Sequence, residues 1–523
     1  MSSAAMATLK FSATLSKSDP QTNAVLIVGQ TKHLTQISWE IIKGKLEPRV
    51  DCETYLVGVS HLHPSPTDSC SLWLNNATVA ALPTKISRHN TPSRGHALTK
   101  VIKSCMAGGD EYIVVVCERA DVLASACAVA RALPLYCGKS NTTGFKRVVT
   151  VEFVLASSRG EEVLTDADVE AISVVAHGVR LAAKITDMPC SLMHTDAFLE
   201  EIRAVGDELG ITPLVIRGEE LEKNGFGGIY GVGKAAVHQP ALVVLSHKPQ
   251  GAIRNIAWVG KGIVYDTGGL CIKSKTGMCG MKRDCGGAAA VLGAFFAAVK
   301  LGLTENLHAI FCLAENAVGP TAQRPDDIVT MYSGRTVEVN NTDAEGRLVL
   351  GDGVSYALKD LKCDTIVDMA TLTGAQGIAT GKYHAAILTN SEDMEDACVQ
   401  AGLNSGDMVH PVPFTPELHF SEFSSVLADM KNSVADRSNA QVSCAGLFIF
   451  SHIGFDFPGT WLHIDMATPV HMGERSTGYG VALLVTLFGS MSVNDLVRTT
   501  APVSACDGMD TVDNKAAKKI RLN

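Results

Sequence analysis

The segment Asn255–Gly262, NIAWVGKG, is a near-continuous apolar run that predicts a strand buried on both faces. A helix rich in small residues is predicted next, in GGAAAVLGAFFAAVKLG (Gly286–Gly302). A second apolar run, LHAIFCLAEN, follows at Leu307–Asn316. A strand, a helix and a strand in this order are typical of a parallel sheet covered by helices, so this part of the chain predicts an α/β fold.

Three further apolar runs extend the same pattern: ALVVLSH (Ala241–His247), CDTIVDMATLTGA (Cys363–Ala375) and TWLHIDMA (Thr460–Ala467). Near-continuous apolar strands of this kind predict a largely parallel sheet that is covered on both faces. We therefore expect residues 190–490 to form the larger, C-terminal α/β domain, with a mostly parallel central sheet covered by helices.

The first 160 residues repeat the alternation on a smaller scale. Short β-branched runs occur at AVLIV (Ala24–Val28), YIVVVC (Tyr112–Cys117) and VVTVEFVLA (Val148–Ala156), and a helical stretch lies between the last two. Residues 1–160 are thus predicted to be a small N-terminal α/β domain. Residues 161–189 show helical apolar spacing and are predicted to be a linker helix, and residues 491–523 a mobile tail.

The charge and the cysteines restrict the possible partners and the compartment. The formal net charge is −9 and there is no long basic stripe, which argues against nucleic acid and anionic membranes as partners. The N-terminus lacks the pattern of a secretory leader, and no apolar run reaches about 18 residues. The 15 cysteines form no CxxC pair, as in reduced cytosolic proteins. The expectation is a soluble cytoplasmic protein.

Several common catalytic motifs are absent or incomplete. GIYGVGK (Gly228–Lys234) matches the start of a phosphate-binding loop, but Ala235 replaces the hydroxyl residue that would bind magnesium. It is interpreted as a flexible glycine-rich loop. There is no HExxH sequence for a single-zinc peptidase and no GxSxG sequence for a serine hydrolase.

Charged residues cluster around the first predicted strand and the helix that follows it. Lys261 stands where the apolar run ends, Asp266 and Lys273 follow, and Asp284 directly precedes the glycine-rich start of the helix. Taken singly, each is ordinary, because a lysine at a strand end is usually solvated and an Asp before a helix is usually an N-cap.

A second charged block, NNTDAEGRL, occupies residues 340–348 after the strand-like run RTVEVN. It contains Asp343, Glu345 and Arg347, and by itself it would be interpreted as a solvated turn. Functional groups of open α/β sheets, however, gather beyond the carboxyl ends of the strands, where both blocks are predicted to lie. Four carboxylates brought together there repel one another, and two divalent cations would compensate their charge. Oxygen-rich ligands suit zinc, manganese or magnesium.

The two blocks together resemble the signature of the leucyl aminopeptidase family of two-metal peptidases. The resemblance runs from about Leu181 to Phe488 and is closest to the animal aminopeptidase-like branch. It includes three further motifs, namely DMATLTGA (Asp368–Ala375), ADMKNS (Ala428–Ser433) and STGYGVALL (Ser476–Leu484).

This resemblance implies five metal ligands, namely Lys261, Asp266, Asp284, Asp343 and Glu345. Asp266 and Glu345 would bridge two ions. Asp343 would complete one site, and Lys261 with Asp284 the other. The ions would be zinc, or manganese or magnesium in an exchangeable position. Since an amine binds a metal only when unprotonated, the pKa of Lys261 is expected to be far below its ordinary value.

The resemblance also implies two catalytic cations and a peptide-binding loop. Lys273 would stabilise the developing oxyanion, and Arg347 would hold a bicarbonate that shuttles a proton. The loop consists of Thr371, Leu372, Thr373 and Gly374. The implied assembly is a homohexamer.

The implied function is hydrolysis of the first residue, leucine or another apolar one, from short peptides by a water activated between two metals. A dipeptidase of narrow specificity, for example for Cys-Gly, is an alternative. A catalytically silent scaffold oligomer of the same fold is another, although the complete set of charged residues disfavours it. A nucleic-acid-binding aminopeptidase is disfavoured by the acidic balance.

Overall fold

The computed structural model describes residues 7–63, 65–140, 147–157 and 162–503. Its N-terminal part contains one six-stranded sheet with the order β1-β6-β5-β2-β4-β3. All neighbours in this sheet are parallel except β3, which runs antiparallel to β4. The strands are β1 (Ala7–Ser12), β2 (Ala24–Gln30), β3 (Asp68–Trp73), β4 (Ala77–Leu82), β5 (Glu111–Cys117) and β6 (Arg147–Leu155).

Helices cover both faces of this sheet. One face packs against helices near the start of the chain, and the other packs towards the centre of the molecule. The N-terminal helices are α1 (Thr31–Leu34), α2 (Trp39–Leu46), α3 (Cys52–Ser60), α4 (Gly95–Cys105) and α5 (Val122–Ala132). A layered α/β architecture follows, as the alternating runs predicted.

Helix α6 (Asp166–Asp187) joins the two halves of the molecule. Its apolar side chains belong to a single core cluster that extends from the N-terminal sheet to the helices of the C-terminal half. Thr165 Oγ1 accepts a hydrogen bond from Asp168 N at 3.1 Å, and Asp168 Oδ2 accepts one from Thr165 N at 2.9 Å. This reciprocal capping box fixes where the helix begins.

The C-terminal half is built on an eight-stranded sheet with the order β15-β14-β17-β13-β9-β10-β8-β7. Its four central strands, β17, β13, β9 and β10, are mutually parallel, and antiparallel pairs occur towards both edges. The strands of this half are β7 (Leu214–Arg217), β8 (Ala241–His247), β9 (Asn255–Asp266), β10 (Asn306–Asn316), β11 (Ile328–Thr330), β12 (Thr336–Glu338), β13 (Thr365–Ala370), β14 (Ala385–Thr389), β15 (Val409–Pro411), β16 (Met430–Lys431), β17 (Thr460–Asp465), β18 (His471–Met472) and β19 (Arg475–Ser476).

Helices cover both faces of the large sheet and create two apolar layers. Besides α6, the helices of this half are α7 (Thr195–Leu209), α8 (Glu219–Lys223), α9 (Gly227–Gly233), α10 (Lys275–Met278), α11 (Gly286–Lys300), α12 (Gly346–Lys359), α13 (Gly374–Ala379), α14 (Glu392–Ser405), α15 (Pro416–His419), α16 (Gln441–Ser451), α17 (Val481–Leu487) and α18 (Asp495–Thr500), of which α10 and α15 have no buried residue. The mostly parallel, helix-covered sheet predicted from the apolar runs is confirmed.

The glycines at the start of α11 allow the helix to approach the sheet closely. A Cβ atom on Gly287 would lie 1.9 Å from the carbonyl oxygen of Met369 in β13. No side chain fits in that space, so only glycine permits this approach. The contact brings the residues before α11 to the carboxyl edge of the sheet.

Three local predictions were wrong. Strand β9 continues to Asp266 because it pairs with β10 as far as Asn316, so Lys261 lies within the strand and not at its end. The run RTVEVN contributes only β12 to a separate three-stranded sheet, in the order β11-β12-β16. The segment GIYGVGK lies mostly in helix α9, whose buried face packs on the core, and is not a loop.

The predicted tail begins at residue 491, yet the structure places α18 against the core, with Leu496 and Val497 buried. Residues 504–523 of that tail lie outside the described residues, as do residues 158–161 near the predicted domain boundary. None of the helices within the described ranges combines the length and the apolar character that crossing a membrane requires.

Candidate active site

The carboxyl ends of the four central parallel strands bring polar side chains to one edge of the sheet. Asp266, Asn316 and Asp465 are the last residues of β9, β10 and β17, and Thr371 directly follows β13. Parallel neighbouring strands end at the same edge, so these residues gather although they are distant in sequence.

Lys261 extends from the interior of β9 towards this edge and is only 2% exposed. Its Nζ lies 2.8 Å from Asp284 Oδ2 and 2.9 Å from Glu345 Oε1. It also donates a hydrogen bond to the carbonyl oxygen of Thr371 at 3.0 Å. The ammonium group therefore joins three segments of the chain.

Asp284 stands at the end of a 3-10 turn, Met281–Arg283, just before α11. Its Oδ1 accepts hydrogen bonds from Lys261 Nζ and from Thr371 Oγ1, both at 2.8 Å. Burial raises the pKa of the Asp284 carboxyl, and the charge of Lys261 opposes this rise.

The turn before α12 carries Asp343 and Glu345. Glu345 is buried and immediately precedes the first helical residue, Gly346. A Cβ on Gly346 would lie 2.6 Å from Lys261 Cε, so glycine is needed for the turn to come this close to the lysine. This contact brings the second charged block onto the first.

Lys273 links the remaining two carboxylates. Its Nζ lies 2.8 Å from Asp266 Oδ2 and 2.5 Å from Asp343 Oδ1. One carboxylate oxygen from each of Asp266, Asp343 and Glu345 lies within 4.8 Å of the others. The predicted ligands thus converge, with Lys261 on one side of the cluster and Lys273 on the other.

The electrostatics show how strongly these groups interact. Burial raises the pKa of Glu345, and the neighbouring Asp266 charge raises it further. Burial lowers the pKa of Lys261, but Asp284 and Glu345 more than offset this, so it stands above its ordinary value. The surrounding carboxylates therefore favour the ammonium form of Lys261, and the low pKa expected for an amine ligand stays a prediction about the metal-bound site.

Arg347 is the second residue of α12 and lies beside the same cluster. Its Nη1 donates to the carbonyl oxygen of Asn432 at 3.0 Å, and its guanidinium lies 5.9 Å from the Phe423 ring centroid. The buried Nε atom has no hydrogen-bond partner among the residues described. Burial lowers the pKa of Arg347 to about 10, so the group remains charged at neutral pH.

The loop of Thr371, Leu372, Thr373 and Gly374 lies directly beside the cluster. Asp465 Oδ1 accepts a hydrogen bond from Leu372 N at 3.1 Å, and Oδ2 accepts from Thr373 N at 3.1 Å and from Thr373 Oγ1 at 2.6 Å. Because Thr373 Oγ1 also caps α13, its side chain is already engaged within the protein. A Cβ on Gly374 would meet nothing within 4 Å, so the loop is open there.

Three residues that position the site were missed by sequence reasoning, namely Asp465, Asn316 and Asn432. Asn316 Nδ2 donates to Asp266 Oδ1 at 2.8 Å and to the carbonyl oxygen of Thr342 at 3.1 Å. Asn432 Nδ2 donates to the Asn341 carbonyl at 2.7 Å, which holds the turn before α12. Asn316 and Asp465 are the last residues of apolar strands, and this position is the sequence signal that could have identified them as site residues.

The donor set fits two divalent cations. It contains four carboxylates and one amine, almost all buried, which is the kind of set that hard or borderline dications prefer. Glu345 Oε2 is buried and has no hydrogen-bond partner within the described part of the chain. An anionic oxygen in this situation is costly unless a cation neutralises it.

A second group of possible ligands lies elsewhere, at the start of α7. It consists of His194, Asp196 and His238, each partly exposed. Asp196 is already paired with Arg217 and with His238 Nδ1, the latter at 2.7 Å. Since its carboxylate is neutralised by an arginine, this group is a weaker cation site than the buried cluster.

Two family domains match the chain. Residues 180–485 match the catalytic domain of the cytosol aminopeptidase family, and residues 23–142 match the M17 aminopeptidase N-terminal domain 2. The first match contains every charged residue of the cluster described above. The second match falls within the N-terminal sheet and its helices.

Full-length relatives and solved structures agree with these matches. The human protein called probable aminopeptidase NPEPL1 is 61% identical over 498 residues, which are 95% of each chain. The solved leucine aminopeptidase of Caenorhabditis elegans has a TM-score of 0.87 at 40% identity and covers 94% of this chain and 99% of its own. Trypanosoma brucei leucyl aminopeptidase, solved with bestatin, has a TM-score of 0.82 at 36% identity over 92% and 95% of the two chains. With its catalytic-domain match and a relative of this identity, the chain belongs to the cytosol aminopeptidase family, the hydrolases of the leucyl aminopeptidase type.

Proposed function

We propose that this protein removes the first residue from short peptides at a site that holds two divalent cations between its buried carboxylates. The convergence of Asp266, Asp343 and Glu345 oxygens within 4.8 Å, between the ammonium groups of Lys261 and Lys273, is the observation that carries this proposal. Asp266 comes from a distant segment of the chain and meets Asp343 and Glu345, which share one turn, so a shared cation is a direct reason for bringing the three together.

The proposed division of ligands is the one that the family resemblance implies, and the contacts of the two lysines are compatible with it. Asp266 and Glu345 lie centrally and would contact both ions. Asp343 would complete the site on the Lys273 side, and Asp284 with Lys261 would complete the other. A dication bound beside Lys261 would supply positive charge to the carboxylates in place of the ammonium group. The lysine could then lose its proton. Zinc, or manganese or magnesium in the exchangeable position, suits this set.

When bound, the two cations would supply Lewis acidity for activating a water and a point of attachment for the free α-amine of the peptide. The side chains of the protein supply the remaining functions. Burial lowers the pKa of Lys273, but Asp266 and Glu345 raise it above the ordinary value, so it remains a cation. At the edge of the cluster, it is placed to stabilise negative charge on the carbonyl oxygen.

Arg347 supplies a second fixed positive charge. Its guanidinium is fixed by Asn432, and its buried Nε lacks a hydrogen-bond partner within the described residues. A planar anion such as bicarbonate matches the fork of donors that a guanidinium offers. Bound there, the anion would accept a proton beside the carboxylate cluster.

The loop from Thr371 to Gly374 is proposed to align the peptide backbone. Asp465 accepts a hydrogen bond from the loop backbone at Leu372 N, and Thr371 contacts both Lys261 and Asp284. Its side-chain hydroxyls are used within the protein, so its backbone groups and the open position at Gly374 are the parts available to substrate.

The homohexameric assembly and the cytoplasmic location remain proposals that rest on family membership. The division into an N-terminal domain (1–160), a linker helix (161–189) and a catalytic domain (190–490) is proposed on the two separate sheets, with α6 between them. The proposed preference is for peptides whose first residue is leucine or another apolar residue.

Two alternatives make different experimental predictions. A dipeptidase restricted to Cys-Gly would leave leucyl substrates untouched. A silent scaffold would bind no metal in the cluster and hydrolyse nothing. The unpartnered Glu345 oxygen argues against the scaffold, because a protein without need of a cation would gain stability from replacing this buried carboxylate.

Replacement of Glu345 tests the proposal directly. Glu345→Gln should abolish hydrolysis of leucyl amide and lower the bound zinc or manganese below two ions per subunit, because it removes a shared negative ligand. Glu417→Gln, an exposed change on α15, is the matched control and should keep both properties. Full activity with two bound ions in Glu345→Gln would refute the site assignment. Bestatin, which is bound by the Trypanosoma brucei relative, should inhibit the wild-type protein.

A further inference from the structure

A cavity of about 130 Å³ opens beside the carboxylate cluster. It shares Asp284 and Thr371 with the candidate active site, so a molecule held by the cluster can extend a side chain into it. Under the proposed function, on which this inference depends, that side chain belongs to the first residue of the peptide.

Part of the cavity wall is apolar. Met281, Ala467 and Val470 line it, and Val470 is only 3% exposed. These groups match the methylene carbons of a linear or branched side chain and account for the acceptance of apolar residues.

One charged side chain in the lining is not compensated, namely that of Arg283. Its guanidinium lies over Gly280, where an added Cβ would be 3.1 Å from Arg283 Nη2. Within the described residues it takes part in none of the ion pairs, and its buried Nε has no hydrogen-bond partner.

The acidic groups near Arg283 are engaged elsewhere or exposed. Asp187 pairs with Arg475 Nη1 at 2.9 Å and accepts a hydrogen bond from Ser476 N at 2.9 Å. Glu474 is exposed on the turn between β18 and β19. Asp284, the one carboxylate in the lining, is paired with Lys261.

The remaining polar wall is formed by His471 and Cys279. His471 Nδ1 donates to the carbonyl oxygen of Gly473 at 2.8 Å, so this imidazole is held in place. Neither group carries a negative charge that would repel an anion. The cavity thus combines apolar walls with a single free cation.

We propose that this cavity, besides apolar side chains, accepts a first residue with a carboxylate side chain, in particular glutamate, and that Arg283 is the residue that selects glutamate over its neutral isostere. The apolar walls receive the two methylenes of glutamate, and the guanidinium pairs with the carboxylate. A charge-assisted pair between partly buried groups is stronger than a neutral hydrogen bond, and guanidinium geometry matches a carboxylate. Arg283 is in this respect a specificity-determining residue.

The test compares kcat/KM for glutamyl, glutaminyl and leucyl amides. Glutamine is the neutral isostere of glutamate, so the glutamyl-to-glutaminyl ratio isolates the charge. In the wild-type protein this ratio should be about 10 or more, equivalent to about 1.4 kcal/mol, and Arg283→Met should bring it to about 1 through KM because the charge-assisted pair is lost. Arg283→Lys should retain part of the preference. Arg324→Met, which removes an exposed arginine paired with Asp327, is the control and should leave the ratio unchanged.

A charge reversal provides a gain of function that misfolding cannot imitate. Arg283→Glu should favour lysyl over glutamyl amide. Two results would refute this inference and leave the proposed function standing. In the first, wild-type protein hydrolyses leucyl amide but shows equal kcat/KM for glutamyl and glutaminyl amides. In the second, Arg283→Met keeps the wild-type glutamyl-to-glutaminyl ratio. If no amide is hydrolysed with zinc or manganese present, both are refuted.

Discussion

Lys261 Nζ and Glu345 Oε1 lie 2.9 Å apart, although one residue is inside the central strand β9 and the other ends the turn before α12. The contact depends on Gly346, because any side chain there would occupy the space of the lysine methylenes. Two charged blocks that are each ordinary in the sequence become one site through this approach.

Replacing Gly346 should therefore impair the site more than the fold. An alanine Cβ would stand 2.6 Å from Lys261 Cε and displace the lysine, while alanine itself favours the helix. We expect Gly346→Ala to lower kcat/KM for leucyl amide at least about tenfold, equivalent to roughly 1.4 kcal/mol. The thermal midpoint should change little.

The matched control is Gly109→Ala, since a Cβ there meets nothing within 4 Å. It should retain wild-type activity. A Gly346→Ala protein with unaltered kcat/KM and metal content would show that Lys261 need not occupy its observed position.

Asp465 should act on substrate binding without being a metal ligand. Asp465→Asn replaces one acceptor oxygen by a donor that faces the amides of Leu372 and Thr373. The loop beside the cluster should become less ordered, and KM for peptides should rise about tenfold or more. Bound metal should remain at the wild-type ratio.

Asp364→Asn is the control for that experiment. Asp364 Oδ2 accepts a hydrogen bond from Asn255 N at 2.8 Å, next to the amino ends of β9 and β13, away from the cluster. Its replacement should affect stability alone. Loss of metal from Asp465→Asn would contradict the assignment of Asp465 as a positioning residue.

The buried imidazole of His452 should make the folding stability of the protein depend on pH. It is buried, shares a 2.7 Å hydrogen bond with Ser333 Oγ, and burial lowers its pKa to about 3. Its ordinary pKa is 6.5, so below that pH the unfolded chain binds a proton that the folded chain excludes. The contribution of His452 to the free energy of unfolding is therefore fully present above pH 6.5. It decreases as the pH falls, by about 2 kcal/mol at pH 5.

Thermal unfolding of wild type and His452→Gln at pH 7.5 and pH 5 measures this effect. Wild type should exceed the variant at pH 7.5, and the difference should shrink or reverse at pH 5. A difference that grows on acidification would mean that the folded protein binds the proton at His452.

Much of the fold could be predicted from local patterns. The strands β8, β10 and β17 and the helices α6 and α11 match their apolar runs to within a few residues, because burial on both faces leaves a continuous hydrophobic signal. The predicted end of β9 was too early because its pairing with β10 continues past Lys261 and Gly262 as far as Asp266. Helix α9 was missed because four glycines weaken its helical signal.

The sequence by itself determined that four acids, two lysines and an arginine stand near the ends of predicted elements, and its motifs indicated the family. Only the tertiary structure decided that Asp465, Asn316 and Asn432 hold these groups, and that Arg283 faces a cavity with no anion paired to it. The physical reason is that a hydrogen bond or an unpaired charge depends on which distant segments meet. That meeting is set by strand order and by close helix packing, which local residue patterns do not specify.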